Sequence, residues 1–468
     1  MSATHEAGAL HAAAGRRAPA WLVPPRNVNT LIPGLWSATA ERGSDGVLAV
    51  GGVDVGKLAR EFGTPLFVVD AADVRARARA FRQAFARYEV FYASKAFSAK
   101  AILRWIAAEG LSVDVCSAGE LAVAIAAGVD PGRIGLHGNN KSVTELQSAI
   151  ELHLGKVVVD SFDEIERLRV LTNELRGPDR LRVMVRCTAG VEAHTHSYIA
   201  TAHEDQKFGL SIVEGDATRA ATLLESMPGV ELIGLHSHIG SQIFDTSGFE
   251  VAARRVLHLH ATLGSTLGRA LPELDLGGGF GIAYTTQDAP QSPEDLAAAL
   301  DRIVDFECAA LGITRPRLSI EPGRAIVGPS ACTLYEVGTV KTVALSDHDH
   351  RVYVSVDGGM SDNVRPALYD AEYSASLASR ASTAPPALSR VVGKHCESGD
   401  IVVIDEFLPA DIAPGDLVAV PGTGAYCRAM SSNYNQVPRP AVVAVEDGNA
   451  RVILRRETIE DLLAFDVG

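Results

Sequence analysis

Between about residues 88 and 325, short runs of β-branched and other apolar residues alternate with longer stretches whose apolar positions recur every three to four residues. The first pattern suits strands buried on both faces, and the second suits helices with one buried stripe. The strand-like runs are Val90–Ser94, Leu111–Val115, Ile134–His137, Lys156–Val159, Arg182–Arg186, Leu232–His236, Leu274–Leu276 and Leu318–Glu321, with helix-like segments such as Glu120–Ala127 and Glu164–Leu175 between them. This alternation predicts an α/β fold, a closed parallel (β/α)8 TIM-like barrel whose polar groups gather at the carboxyl ends of the strands. At or just past those ends stand Lys95, Asp114, Asn139, Asn140, Asp160, Arg186, His238, Gly277–Gly279 and Glu321.

After about residue 330 the pattern becomes strand-like without long helices: Thr333–Val337, Val352–Val356, Ile401–Ile404, Leu417–Val420 and Ala441–Val445. The expectation is a second, mainly β domain. The segment Val47–Ala59 shares its strand character and is assigned to it. The predicted organisation is thus a flexible tail over 1–30, the barrel over 60–330, and a discontinuous β domain of 31–59 plus 331–468. Ser376–Pro386, rich in Ala, Ser and Pro, reads as a surface loop or mobile excursion.

A length of 468 residues agrees with two domains. The net charge of −14 leaves no global basic surface to attract nucleic acid or anionic membranes as partners. No run of eighteen uninterrupted apolar residues occurs, and the first twenty residues lack the continuous apolar centre of a secretory signal. The six cysteines are scattered without CxxC pairs, so they read as reduced thiols of a cytoplasmic protein.

Several of the strand-end groups admit specific chemistry. Lys95 closes an apolar strand, where an ammonium is costly to bury. A partly desolvated lysine loses its proton readily and can bond to the aldehyde of pyridoxal phosphate, although a strand-end lysine can also simply reach solvent. Gly277-Gly278-Gly279-Phe280-Gly281 does not fit GxGxxG; it reads either as a tight turn or as a cradle for one small phosphate, to which Gly323 could add an amide. Glu321 suits the ring nitrogen of a cofactor, which it would keep protonated as an electron sink, or it is a plain glutamate before a turn. His236-Ser237-His238-Ile239-Gly240-Ser241 offers an aromatic ring to stack on a flat cofactor and a hydroxyl for its phosphate. Alternation sends His236 and His238 to one side, so a metal pair, extended by His194 and His196, is the competing reading. Cys396, flanked by Lys394, His395 and Glu397, is either a small buried hydrophobe or a proton donor to a carbanion. Arg365 and Tyr369 form either a carboxylate clamp or an ordinary surface loop. Tyr426 follows a glycine-rich turn and reads equally as a core aromatic.

Taken together, Tyr92–Lys95, Leu136–Lys141, His236–Ser241, Gly277–Gly279, Glu321–Arg324, Cys396–Asp400 and Gly424–Tyr426 resemble the diaminopimelate decarboxylases, members of the fold-type III pyridoxal-phosphate enzymes. The resemblance runs from about residue 45 to the C-terminus. It implies pyridoxal phosphate as cofactor and no metal, with Lys95 as covalent anchor, His238 stacked on the ring and Glu321 at its nitrogen. Asp114, Arg186, Ser241, Gly278, Gly279, Gly323, Arg324 and Tyr426 would complete the cofactor site. Arg324, Arg365, Tyr369, Glu397 and Tyr426 would bind the substrate. Cys396, the candidate proton donor, and Glu397 would reach in from a neighbouring subunit of a homodimer. The implied reaction is loss of carbon dioxide from the D-centre of meso-2,6-diaminopimelate, giving L-lysine as the last step of its biosynthesis. A fold-type III decarboxylase of another amino acid, a metal-dependent barrel hydrolase and a non-catalytic cofactor carrier are the alternatives. Residues 1 to about 30 carry no motif of the family.

Overall fold

The computed structural model describes residues 18–190, 207–244, 246–346 and 349–468. The chain divides into two compact units, one of residues 75–281 and 290–326, the other holding 282–289, 327–468 and the described residues up to 74.

In the first unit, eight strands pair in parallel: β1 Tyr88–Ala93, β2 Ser112–Val115, β3 Ile134–Leu136, β4 Lys156–Val159, β5 Leu181–Thr188, β6 Val230–Ser237, β7 Glu273–Asp275 and β8 Arg317–Ile320. Each pairs with the next, and β8 pairs with β1, so the sheet closes into the expected barrel. The intervening helices carry their own start signals. Ser117, Ser142 and Ser161 accept from the third backbone N–H of the helices Ala118–Ala127, Val143–Glu151 and Phe162–Leu171, and Glu145 completes a capping box with Ser142. Leu111, Val113, Ile134, Val157 and Val183 are essentially inaccessible. The barrel interior is not wholly apolar, for Lys156, His236, Asp275 and Ser319 are buried as well.

The second unit is built on a nine-stranded sheet. Its main path runs Ile401–Pro409, Pro386–Val392, His350–Val356, Ala331–Ala344, Leu66–Asp70, Ala441–Glu446 and Asn449–Leu454, and Leu417–Pro421 pairs antiparallel with the first half of Ala331–Ala344. Leu66–Asp70 lies in the stretch assigned to the barrel by the sequence, yet its partners are Ala331–Leu334 and Ala441–Val445. These pairings are remote in sequence, and the local pattern of an all-apolar strand does not say which sheet it joins.

Two sequence expectations need local correction. Val47–Ala59 is strand only at Leu48–Val50 and Val53–Asp54; Asp54 then accepts from Lys57 N and caps a helix, Val55–Phe62. Ser376–Pro386 is no loose excursion. Ser376–Leu377 is a strand against Leu417–Pro421, Leu377 and Ala378 are buried, and Arg42 donates to the Ser376 hydroxyl and the Leu377 carbonyl.

Candidate active site

Lys95 sits in a single 3₁₀ turn, Ser94–Ala96, immediately after β1. Its neighbours Ser94 and Ala96 are fully buried, while Lys95 itself is exposed. The side chain is thus less enclosed than the apolar strand before it led one to expect. The turn is fixed from below by the Tyr92 hydroxyl, which donates to the Phe97 carbonyl at 3.0 Å. The Lys95 charge acts on Asp114, His137, His238 and Glu321, so these groups share one space.

Glu321 follows β8 and is buried. His236 Nε2 lies 3.1 Å from its Oε1, and His137 Nε2 lies 3.3 Å from the same oxygen and 3.8 Å from Asp114 Oδ1. Burial, with the negative Asp275 nearby, pushes the Glu321 carboxyl up to about 8 against the opposing pull of Lys95, Lys156 and Arg186. Burial and then Glu321 raise Asp114 well above the carboxylate range. Burial also lowers His236 to about 3 and holds His137 and His238 well below an ordinary imidazole.

These shifts set a pH dependence. Glu321 ionises near 4.5 when unfolded and near 8 when folded, so between those values the folded state holds a proton that the unfolded chain has released. Stability without added ligand is expected to fall as pH rises through that window and to level off above it. In Glu321→Gln this contribution should vanish from the pH profile of thermal unfolding; an unaltered profile contradicts the assignment.

The glycine run is shaped by backbone proximity. Gly277 has φ +71° and Gly279 φ +120°, and a Cβ on Gly278 would stand 2.3 Å from the Glu321 carbonyl oxygen. Ile243 N donates to the Gly279 carbonyl at 2.9 Å, which ties the run to the loop after β6. In that loop Gly240 N donates to His238 Nδ1 at 3.1 Å, fixing the ring and leaving its proton on Nε2. Ser241 Oγ accepts from Arg324 Nη2 at 2.8 Å. Gly323 is equally confined, since a Cβ there would come within 2.8 Å of the Ala93 carbonyl oxygen at the end of β1. The first unit thus brings together Lys95, Asp114, Arg186, His238, Ser241, Gly278, Gly279, Glu321, Gly323 and Arg324 at one end of the barrel.

The remaining predicted site residues belong to the second unit. Arg365 is buried, and its pairing with Tyr369 is not what the structure shows. Its guanidinium lies 4.7 Å from the Tyr284 ring centroid and 5.5 Å from that of Tyr373, and it donates to the Tyr373 hydroxyl. Tyr369 closes the same short helix, Arg365–Tyr369, half-buried. Cys396 and Glu397 are exposed on the loop joining Pro386–Val392 to Ile401–Pro409, so the buried-hydrophobe reading of Cys396 does not hold. That loop is pinned by the Asp400 carboxylate, which accepts from His395 N at 2.7 Å and Met360 N at 2.6 Å. Tyr426 is half-buried and adopts φ +63°, a left-handed conformation that a non-glycine residue rarely holds.

The histidine-pair metal reading does not match the geometry. His236 meets His137 and Glu321 rather than His238, and His194 and His196 lie outside the described residues. The donor atoms of His137, His236 and Glu321 lie within 4.8 Å of one another, the minimum set for an ion. Lys95, Lys156 and Arg186 act on the same carboxylate, however, and oppose a further double positive charge there. Asn139 is partly exposed and Asn140 exposed; the strand-end group of β3 is the buried His137. Sequence reasoning also missed the buried pairs Lys141–Glu164 and Lys156–Asp275, each 2.8 Å. A lysine and an aspartate inside otherwise apolar strands were the available signal for the second.

Residues 71–328 match the family model for the pyridoxal-dependent decarboxylase, pyridoxal binding domain. The diaminopimelate decarboxylase of Mycobacterium tuberculosis is 54% identical over 445 residues, covering 93% of this chain and 98% of the relative. That of Bacillus subtilis is 45% identical over 433 residues, covering 92% and 97%. Among solved structures, diaminopimelate decarboxylase from M. jannaschii in complex with L-lysine superposes with a TM-score of 0.85 at 30% identity, covering 92% of this chain and 98% of that one. The Helicobacter pylori enzyme with L-lysine gives 0.79 at 30% identity, covering 88% and 99%. With such coverage by both family model and relatives, the chain belongs to the diaminopimelate decarboxylase family of pyridoxal-dependent decarboxylases.

Proposed function

We propose that the chain removes carbon dioxide from the D-centre of meso-2,6-diaminopimelate and releases L-lysine, with pyridoxal phosphate as cofactor. The observation that carries this reading is Glu321. Its Oε1 pairs with His236 Nε2 at 3.1 Å, while Oε2 is buried with no hydrogen-bond partner among the described residues, an orphan acceptor suited to a protonated ring nitrogen. Asp114 Oδ2 and Ser237 Oγ at the same barrel end are likewise buried without such a partner among the described residues. A Cβ at Gly278, Gly279 or Gly323 would run into the carbonyl oxygens of Glu321, Gly240 and Ala93, so only glycine lets these turns pack together at the barrel end where the phosphate would sit.

When bound, pyridoxal phosphate supplies the electron sink for the pair left on carbon as carbon dioxide departs. Lys95 Nζ would hold the cofactor through its aldehyde. Glu321 would keep a proton at the ring nitrogen, and His238, pinned through Nδ1, would orient the ring. Asp114 and Arg186 border the cofactor, and Ser241, Gly278, Gly279, Gly323, Arg324 and Tyr426 hold its phosphate and surroundings. Arg324, Arg365, Tyr369, Glu397 and Tyr426 orient the substrate, whose far end is a zwitterion and calls for a guanidinium and a carboxylate. Cys396 Sγ returns a proton to the carbon that lost its carboxylate. Cys396 and Glu397 serve a neighbouring copy's site, so the working form is a homodimer; their exposure on a pinned loop supports this.

Carbon dioxide release from meso-diaminopimelate, L-lysine, L-ornithine and L-arginine tests the substrate. Release from the first alone is expected; release from another and not from the first overturns the reading. Cys396→Ala should lower kcat by about a hundredfold or more, the usual scale of a lost proton donor, while cofactor absorbance stays intact. Undiminished kcat removes the thiol from that role.

A further inference from the structure

The loop of the second unit that carries Cys396 and Glu397 is joined to the turn Tyr434–Gln436, some way further along the chain. Asn435 Oδ1 lies 3.1 Å from His395 Nδ1 and accepts from Cys396 N at 3.4 Å. A backbone N–H can only donate, so the Asn435 amide is turned with its oxygen toward the loop. The edge of the imidazole that faces this oxygen then carries its proton on Nδ1. At the other edge Nε2 lies 2.8 Å from the hydroxyl of Ser361, which is buried. One carboxamide oxygen thus holds both the amide of the cysteine and the side chain beside it.

The turn that delivers this oxygen is strained. Asn435 has φ +53° and ψ +26°, and Gln436 has φ +58°, two successive left-handed residues of which neither is glycine. Asparagine tolerates that conformation better than most residues, and glutamine does not share the advantage. Such a conformation persists only where its surroundings fix it. Here Ser432 N donates to the Ser361 carbonyl at 2.8 Å, and Asn433 Nδ2 donates to Glu457 Oε2 at 2.7 Å and to the Val437 carbonyl at 3.1 Å. Glu397 has fixings of its own. Its N–H donates to the His395 carbonyl at 2.8 Å, and its Oε1 accepts from Gly399 N at 3.3 Å.

We infer that Asn435 is a positioning residue for Cys396: its carboxamide oxygen, held out by a left-handed turn, fixes the Cys396 backbone and the adjoining imidazole, and so sets where the thiol stands. This rests on the reading of Cys396 as proton donor. Two substitutions separate the carboxamide from the shape of the backbone. Asn435→Gly adopts a positive φ without strain and deletes the oxygen, whereas Asn435→Asp keeps an oxygen of the same reach and tolerates the same φ.

The test follows hydrogen exchange at the Cys396 amide of the full chain, cofactor absorbance, and kcat and KM for meso-diaminopimelate. In Asn435→Gly the Cys396 amide should exchange about tenfold faster, the scale of one lost hydrogen bond. Its kcat should fall about tenfold or more, as expected of a displaced reacting group, with KM and absorbance nearly constant because Glu397 keeps its own contacts. Asn435→Asp should return both rates to within a few-fold of wild type. If Asn435→Gly does not fold, as judged by circular dichroism, Asn435→Ala and Asn435→Asp carry the same contrast. Wild-type exchange or wild-type kcat in Asn435→Gly overturns the inference, and so does an Asn435→Asp protein as impaired as Asn435→Gly. Undiminished kcat in Cys396→Ala would instead sink the reading beneath it, whereas a lowered kcat there beside an unimpaired Asn435→Gly sinks the inference alone.

Discussion

Replacing Lys95 by alanine is expected to lower decarboxylation by about four orders of magnitude or more, the scale seen when a catalytic nucleophile is removed. Three lysines stand on the barrel strands or just beyond their ends, and their surroundings differ. Lys141 and Lys156 are buried and committed to Glu164 and Asp275 at 2.8 Å. Lys95 is exposed on a turn whose flanking residues are fully buried, so its backbone is held in place while its side chain is not enclosed. The same substitution removes a positive charge that acts on Glu321 and Asp114, so both carboxyls should become harder to ionise. Because the side chain is exposed, thermal stability should change little. Carbon dioxide release and a melting curve check both halves. Activity above about a hundredth of wild type in Lys95→Ala would remove this lysine as anchor.

Lys156→Met is expected to destabilise the barrel by about 3–5 kcal/mol, the cost of leaving one partner of a buried ion pair uncompensated. Lys156 Nζ donates to Asp275 Oδ2 at 2.8 Å and lies 4.0 Å from the Phe91 ring centroid, inside the barrel. Asp275 does a second job, since its Oδ1 accepts from Gly277 N at 2.9 Å and so starts the glycine turn. Burial pulls the Lys156 ammonium down, but Asp275, with Glu321 and Glu273, more than offsets it, and the net shift is upward. Burial likewise lifts Asp275, and Lys156 with His236 overrides it, leaving it at about 2. The stability this aspartate contributes is therefore complete above its unfolded value near 3.8 and is lost as pH falls toward 2. Adding Asp275→Leu to Lys156→Met removes the stranded charge and should recover part of the loss; full recovery is not expected, because the contact to Gly277 goes with it. Urea denaturation followed by circular dichroism measures the series, and a single mutant as stable as wild type contradicts the buried-pair account.

The sequence made the barrel legible because each strand is a short β-branched run and each is followed by a segment of helical period, both local signals. Glu321, His238 and the glycine run were equally visible, since strand ends of such a barrel converge by topology. What escaped depends on contacts remote in sequence. Nothing near His137 reveals that its imidazole will meet a glutamate 184 positions away, at 3.3 Å. Arg365 looked paired with Tyr369 four residues on, whereas the fold stacks it on Tyr284 and Tyr373, and Tyr284 lies in a separate stretch of the chain. Leu66–Asp70 gave no sign of its sheet, because an all-apolar strand fits either. Val55–Phe62 was hidden by the strand-like residues before it, although Asp54 as cap marks its start.

The most direct measurement is turnover of meso-diaminopimelate by the cofactor-loaded protein in deuterium oxide, followed by chiral separation and mass spectrometry of the product. Loss of carboxylate at the D-centre leaves the L-centre untouched, so the product should be L-lysine with a single carbon-bound deuterium on Cε, the carbon that took up the solvent proton. D-lysine, or diaminopimelate recovered without conversion, would contradict the account.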